Sequence, residues 1–310
     1  MLSGYIAAIV FLFCLTGGIY CFGYAARRTN AFWVAQLEVI AGFLIVTIIL
    51  LTTEKISVRN LVMKPGMQQW CWLGMAGITG YIGGNYFTLL NLRAMGEKGN
   101  SLLSPVITAV ASLAGVLVFK EKINGAGITG IIICLAAVSF FLLNKNSTPA
   151  KPIVRISNKK AIVSAAGVVC CVTLTIIFSV KGAAGSALSI YHDIWLRLLV
   201  AFIFASILNI LKRPDEQTTV TDKNTRLYAV IITGVVLQTV AAAYLWFYAT
   251  LAIGIASFQT IVALLPFLIY FIDSVVLSKP VSARYFLLTA FFAFLGVCLL
   301  VWQNEISQMF

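Results

Sequence analysis

The sequence predicts an all-α integral membrane protein whose ten transmembrane helices form two inverted five-helix repeats. Three observations carry that prediction. Of the 310 residues, 61% are hydrophobic and only 10% are charged, against roughly half and about a quarter in soluble domains. Ten stretches of mainly apolar residues follow one another along the chain, each near the ~20 residues a helix needs to cross a bilayer. The chain also repeats weakly on itself at an offset of 158 residues.

The apolar stretches run 3–24, 31–52, 69–91, 100–119, 124–143, 161–180, 187–211, 228–250, 256–277 and 283–302. In lipid only helices and closed barrels satisfy the backbone, and these stretches do not alternate apolar with polar residues as barrel strands do. The first is too long for a removable signal peptide and lacks a basic leading segment, so it is read as the first span. The longest polar connection, 144–160, has 17 residues, which leaves no room for a soluble domain. The organisation is therefore a first repeat over 1–143, a basic linker over 144–160 and a second repeat over 161–310.

The formal charge of +12 would suggest nucleic acid in a soluble protein, but here the basic residues sit in the loops and read as topology signals. Connections from odd to even spans hold 15 of the 22 Lys and Arg residues, and the opposite side holds 6. The linker carries Lys145, Lys151, Arg155, Lys159 and Lys160, and the loop after the seventh span carries Lys212, Arg213, Lys223 and Arg226. The positive-inside rule then puts both termini outside the cytoplasm. All seven cysteines lie in apolar stretches and are expected to be buried free thiols. No metal-ligand spacing occurs.

The repeat gives the spans an order. The 158-residue shift lays Ala94-Met95-Gly96 on Ala252-Ile253-Gly254, Tyr86 on Tyr244, and Lys120-Glu121-Lys122 on Ser278-Lys279-Pro280. Because five is odd, the second half enters the membrane from the opposite side. Inverted repeats of this kind suit alternating access, with a site near the midplane between the halves.

The stretch from Ala94 to Leu143 resembles the second part of an EamA-type domain of the drug/metabolite transporter superfamily. The residues that carry the resemblance are Gly99-Asn100-Ser101 and Pro105 in the fourth span, the Lys-Glu-Lys break at 120–122, and Gly125, Gly127 and Gly130 in the fifth. The second copy shows Ala256-Ser257, Pro266 and Gly296 but has Lys279 where an acid is common. The resemblance implies a ten-helix fold, a central cavity, export or exchange of small metabolites, and termini in the cytoplasm.

Charged groups inside spans are costly and therefore informative. Glu38 and Arg197 occupy matching places in the two halves, 159 residues apart. They are candidates to pair across the repeat interface or to hold a charged or zwitterionic solute between them. An arginine at this place follows the family pattern, and Glu38 departs from it. Asp193, four residues before Arg197, offers a structural alternative as an i,i+4 ion pair. A protonatable carboxylate such as Glu38 also makes protons a candidate coupling ion. Asp273 is expected to reach interfacial water, and His192 to cap or border the seventh span.

A face of small residues at spacing four (Ala76, Gly80, Gly84, Thr88) favours close helix packing. Its counterpart in the eighth span is Gly234, Gln238, Ala242, Trp246. Gln238 and Trp246, with Asn85, Tyr86 and Tyr244 nearby, are candidate cavity residues. Thr16, Tyr20, Thr173 and Thr175 are weaker candidates. Pro105 and Pro266, which remove backbone bonds, are candidate hinges, and Gly17-Gly18 would loosen the first span.

An enzyme is not expected, since no paired carboxylates, no His cluster and no nucleophile arrangement occur. The expected function is a secondary transporter of small metabolites (amino acids or related solutes, or drugs), working as an exporter in the plasma (inner) membrane without a cofactor. A non-transporting receptor or scaffold is the alternative. The expected partners are the small-molecule solute, protons, membrane lipid and, in a homodimer, a second copy. Two fused halves would also suffice as a monomer.

Overall fold

A computed structural model describes residues 2–119, 124–143, 158–184, 186–211, 225–277 and 283–302. The linker over 144–160 lies mostly outside the described residues, as do Lys212, Arg213, Lys223, the 120–122 break and Lys279. Among the described residues the secondary structure is entirely helical. Five helices are long and apolar enough to cross a membrane: Leu2–Ala26, Ala31–Thr52, Lys160–Ala183, Ile190–Ile210 and Thr225–Gly254. They mark a helical membrane protein. Their outward faces agree, since Ile6, Ile9, Phe13, Leu44 and Ile48 are all exposed, an arrangement that lipid rather than water stabilises.

In chain order the helices are α1 (Leu2–Ala26), α2 (Ala31–Thr52), a short α3 (Val58–Met63), α4 (Met67–Gly77), α5 (Asn85–Ser101), α6 (Leu103–Phe119) and α7 (Gly125–Leu143). There follow α8 (Asn158–Ala183), α9 (Ile190–Leu211), α10 (Thr225–Gly234), α11 (Ala243–Val262), α12 (Leu265–Phe271) and α13 (Ala283–Val301). A π-helical segment, Ile78–Gly84, joins α4 to α5, and another, Val235–Ala242, joins α10 to α11. A third, Ile272–Val276, continues α12. The helix α3 falls in what the sequence reads as a plain loop. Ser57 starts it by accepting the Asn60 N–H, the usual role of an N-cap serine.

The element bounds repeat along the chain. The π segments end at Gly84 and Ala242, α5 and α11 start at Asn85 and Ala243, and each of these two helices is bent at a glycine, Gly96 and Gly254. Each pair is 158 residues apart. Contacts follow the same relation. α1 packs on α10, its π segment and α11, as α8 packs on α4, its π segment and α5; α2 packs on α9 and α7 on α13.

Two expected span boundaries fall at glycines. The third and fourth spans were expected to separate near residues 92–99, and there the helix is interrupted at Gly96, at φ 70°, before a second helical stretch that ends at Ser101. The eighth and ninth behave alike, with the bend at Gly254, at φ 80°. Glycine carries no Cβ to oppose this left-handed conformation, so the chain changes direction without a loop. A turn follows each bend, and new helices begin at Leu103 and Leu265. Pro105 and Pro266 therefore stand in the first turns of α6 and α12, where a missing N–H breaks no helical bond. As bends within a helix, the prolines are replaced by Gly96 and Gly254.

The bends lie at opposite ends of α1. Gly4 abuts Ala252 and Ile253, while Gly23 abuts the Glu97 side chain. Gly23 lies nineteen positions along the helix from Gly4, about 28 Å at 1.5 Å per residue.

Candidate functional site

A cavity of about 280 Å³ opens between the helices. Its two charged groups come from α2 and α9, and its other polar lining from the two π segments, α5, α6, α8 and α11. A π-helical stretch widens the turn and re-aims side chains, and such stretches recur at functional sites. Here they present Tyr81 from the first segment and Gln238 and Thr239 from the second, with Asn85 directly after the first.

Five of the sequence candidates meet in this cavity: Glu38, Arg197, Asn85, Gln238 and Trp246. Glu38 is 2% exposed and accepts a 2.5 Å hydrogen bond from the Thr239 hydroxyl. Arg197 is 8% exposed, with its guanidinium 5.2 Å from the Tyr81 ring centre and 5.8 Å from that of Phe247, within cation–π range. Its Nε has no hydrogen-bond partner among the described residues. The two charges share the cavity without forming an ion pair. The ion pairs found among the described residues are Arg27–Glu97 and Lys98–Asp273.

The two ends of the site are built on one plan. Glu38 meets Thr239, and Arg197 meets Tyr81. Thr239 lies 158 residues after Tyr81, and Arg197 lies 159 after Glu38. The next matched pair is Gly80 and Gln238. A Cβ on Gly80 would lie 2.9 Å from Thr175 Cγ2 and an ordinary 3.6 Å from Arg197 Nη2, so the bare glycine lets Thr175 of α8 come close beside the guanidinium. At the other end the Gln238 amide fills that place beside Glu38. A shared framework thus carries a cation at one end and an anion at the other.

Several expectations are corrected. Tyr86 packs away from the cavity, edge-on to Phe32 and Phe87, and Tyr244 stacks on Tyr191 at 4.7 Å. Helical residues one or two positions from a lining residue point about 100° or 200° away from it, which turns Tyr86 from Asn85 and Tyr244 from Trp246. Arg197 makes no ion pair with Asp193, because its guanidinium lies against the aromatic rings instead. Asp273 does not reach interfacial water. It is 2% exposed, accepts the Tyr20 hydroxyl at 2.9 Å and pairs with Lys98 at 3.4 Å. His192 is fully buried, with Nε2 2.9 Å from the Leu61 carbonyl, and so ties α9 to α3. The cysteines are free, but Cys71 and Cys170 are exposed on helix surfaces rather than buried.

The small-residue face packs on α8, where a Cβ on Gly80 would meet Thr175 at 2.9 Å and one on Gly84 would lie 3.6 Å from Val172 and 3.8 Å from Cys171. Gly77, beside that face, meets the Arg197 backbone of α9. Thr88, the last residue of that face, lines the cavity. Thr175, a weaker candidate, also lines it and meets Thr79 at 2.9 Å. Sequence reasoning missed Tyr81, Thr239, Phe258 and Gln259, all of which line the cavity. Tyr81 and Thr239 carried one usable signal, their match to each other under the repeat offset.

No family model matches the sequence, and no curated protein matches it. The fold recurs among solved structures, of which 26 chains match. One, described only as the crystal structure of a protein, superposes with a TM-score of 0.65 at 14% identity, covering 96% of each chain. At that identity the likeness concerns the fold alone.

Proposed function

We propose that this chain is a secondary transporter that binds a small metabolite between Glu38 and Arg197 and moves it by alternating access. The observation that carries the reading is the pair of opposite charges, placed at matching positions of the two halves and facing one cavity of about 280 Å³. Buried charge in an apolar helical protein is expensive to keep and usually marks a solute or ion path. The aromatic wall with a few hydrogen-bonding groups suits a small, partly apolar solute. Amino acids and related solutes fit the charge pattern, since Arg197 offers a planar donor set for a carboxylate.

The architecture proposed is ten spans in two inverted five-helix halves, as in the EamA-type transporters that the sequence resembles. The repeated element bounds support two halves. The position of the bends at Gly4 and at Gly23, on opposite ends of α1, supports their inversion. Alternating access then becomes motion about Gly96 at one end and Gly254 at the other. The Gly96 end is fastened by Arg27–Glu97 at 2.6 Å and Lys98–Asp273 at 3.4 Å. At the second bend Ile255 and Ala256 stand where the first has Glu97 and Lys98. The direction proposed is export across the plasma (inner) membrane.

The test is flux in proteoliposomes across a panel of amino acids and cationic drugs, with and without a pH gradient, for wild type and Glu38→Gln. Saturable solute flux that the substitution abolishes is the expected result. Folded, reconstituted protein that moves no member of the panel favours the receptor or scaffold reading.

A further inference from the structure

Among the described residues, the hydroxyls of Thr29, Thr173, Ser179 and Thr289 are buried without a hydrogen-bond partner. Of these, Ser179 is the one that lines the cavity, and it is 1% exposed. We infer that Ser179 is a specificity-determining residue, whose hydroxyl joins the Arg197 guanidinium in a seat for the free carboxylate of the solute. The seat belongs to the solute of the transport reading and rests on it.

Packing brings the two groups to one place. α8 runs antiparallel to α4 and the π segment after it: a Cβ on Gly182 would meet Leu73, one on Gly80 would meet Thr175, and one on Gly84 would lie near Cys171. Ser179 therefore stands level with Ala76 and Gly77, and Gly77 abuts the Arg197 backbone. The guanidinium lies about one turn further along, with Nη2 close to Gly80. The hydroxyl one turn from Ser179, that of Thr175, is already engaged, with the Cys171 carbonyl at 2.8 Å and Thr79 at 2.9 Å. A helical serine or threonine often bonds its own backbone in this way. Ser179 does not, and rotation about its one side-chain torsion aims the hydroxyl. Asp193, one turn before Arg197, is 4% exposed and does not line the cavity, so it does not compete from the cavity side.

Unpaired donors beside a fixed cation call for an anion that only accepts. A carboxylate has two oxygens and about four lone-pair sites. The planar guanidinium takes two of them and Ser179 a third, and each bond is charge-assisted. An amide sets N–H groups against these donors, and an ester lacks the charge, so either leaves a buried donor unmet at a cost. A halide answers Arg197 alone, whereas a zwitterion answers Glu38 as well. The matched end of the cavity differs in the same sense. Under the 158-residue offset Ser179 falls on Cys21 and Thr175 on Gly17, so α1 brings no such hydroxyls to Glu38. The unpaired groups there are the amides of Asn85 and Gln238, which accept as well as donate. The hydroxyl pair of α8 is thus particular to the cation, and it fixes the solute with its acid at Arg197 and its ammonium at Glu38.

The experiment is equilibrium binding to the purified, detergent-solubilised full chain, read as the rise in its thermal unfolding midpoint. The probes are the common amino acids and, for each that binds, its primary amide and its decarboxylated amine. In wild type the acid should bind at least about tenfold more tightly than its amide or its amine. Ser179→Ala should weaken the acid about tenfold, the loss of one hydrogen bond to a charged group, while the amine stays within about twofold of its wild-type affinity. Ser179→Cys, close in size but a weak donor, should fall between the two. Equal weakening of acid and amine would show that Ser179 only packs, and overturns the inference. Unaltered acid binding in Ser179→Ala overturns it too, as does an amide that binds wild type as tightly as the acid, or no binding of any amino acid. If acids bind in this pattern and none is carried in proteoliposomes, the seat stands and the transport reading fails. If cationic drugs alone are carried, the transport reading stands and the seat fails.

Discussion

Gly77→Ala puts the closeness of α4 and α9 to a direct test. The new Cβ would meet the carbonyl oxygen of Arg197 and would lie 2.9 Å from its carbonyl carbon and 3.1 Å from its Cα. Ordinary contacts of this kind lie at 3.4–4 Å. The obstacle is backbone, so no rotamer change relieves it, and the two helices must separate by several tenths of an ångström. Overpacking of this sort costs about 1–3 kcal/mol, while replacing a mid-helix glycine by alanine returns about 1 kcal/mol through propensity. The net expectation is a loss of up to about 2 kcal/mol, toward the upper end because the obstacle is backbone. Separation would also move Arg197, so solute affinity should fall with stability. The control is Gly125→Ala, where the added Cβ meets nothing within 4 Å among the described residues and stability should hold or rise slightly. Unfolding in mixed micelles, followed by tryptophan fluorescence, measures both. A Gly77→Ala protein as stable as wild type would refute the contact between α4 and α9 and, with it, the seating of Arg197 argued from it.

Four further outcomes are expected. Arg197→Lys keeps the charge but loses the planar group set against Tyr81 and Phe247, an interaction of about 0.5–2 kcal/mol. Solute KM in the flux assay should rise about tenfold, corresponding to ~1.4 kcal/mol, and an unchanged KM removes Arg197 from the site. Thr239→Val deletes the donor to Glu38 and should cost about 1–3 kcal/mol, read as a lower midpoint in thermal unfolding; a wild-type midpoint would mean that the bond contributes nothing. Asp273→Leu alone should cost about 3–5 kcal/mol by leaving Lys98 unpaired, and Lys98→Met added to it should recover much of the loss. A double variant no better than the single one would show that the pair is not coupled. Gly96→Ala and Gly254→Ala should each lose about 1–2 kcal/mol, because a Cβ opposes positive φ while no neighbour among the described residues lies within 4 Å to clash. Both should also slow flux, and normal flux in both would dismiss the bends as moving parts.

Hydropathy is a local property of the chain, so the sequence by itself determined that long apolar helices dominate this protein and where most of them run. It also marked Glu38 and Arg197, because a charge among apolar residues stands out wherever the helix goes. The matched pair Gly96 and Gly254 was visible as a repeated tripeptide. Its left-handed backbone was not, since glycine permits positive φ without requiring it. Tertiary structure alone decided which side chains share a space. Glu38 meets Thr239 across 201 residues and Tyr20 meets Asp273 across 253, and nothing local distinguishes Thr239 or Tyr20 from threonines and tyrosines that only pack. The misplaced Tyr86 and Tyr244 show the same limit at short range. They lie one or two residues from true lining positions, and the rotation of each helix, set by packing against its neighbours, decided which residue faces the cavity.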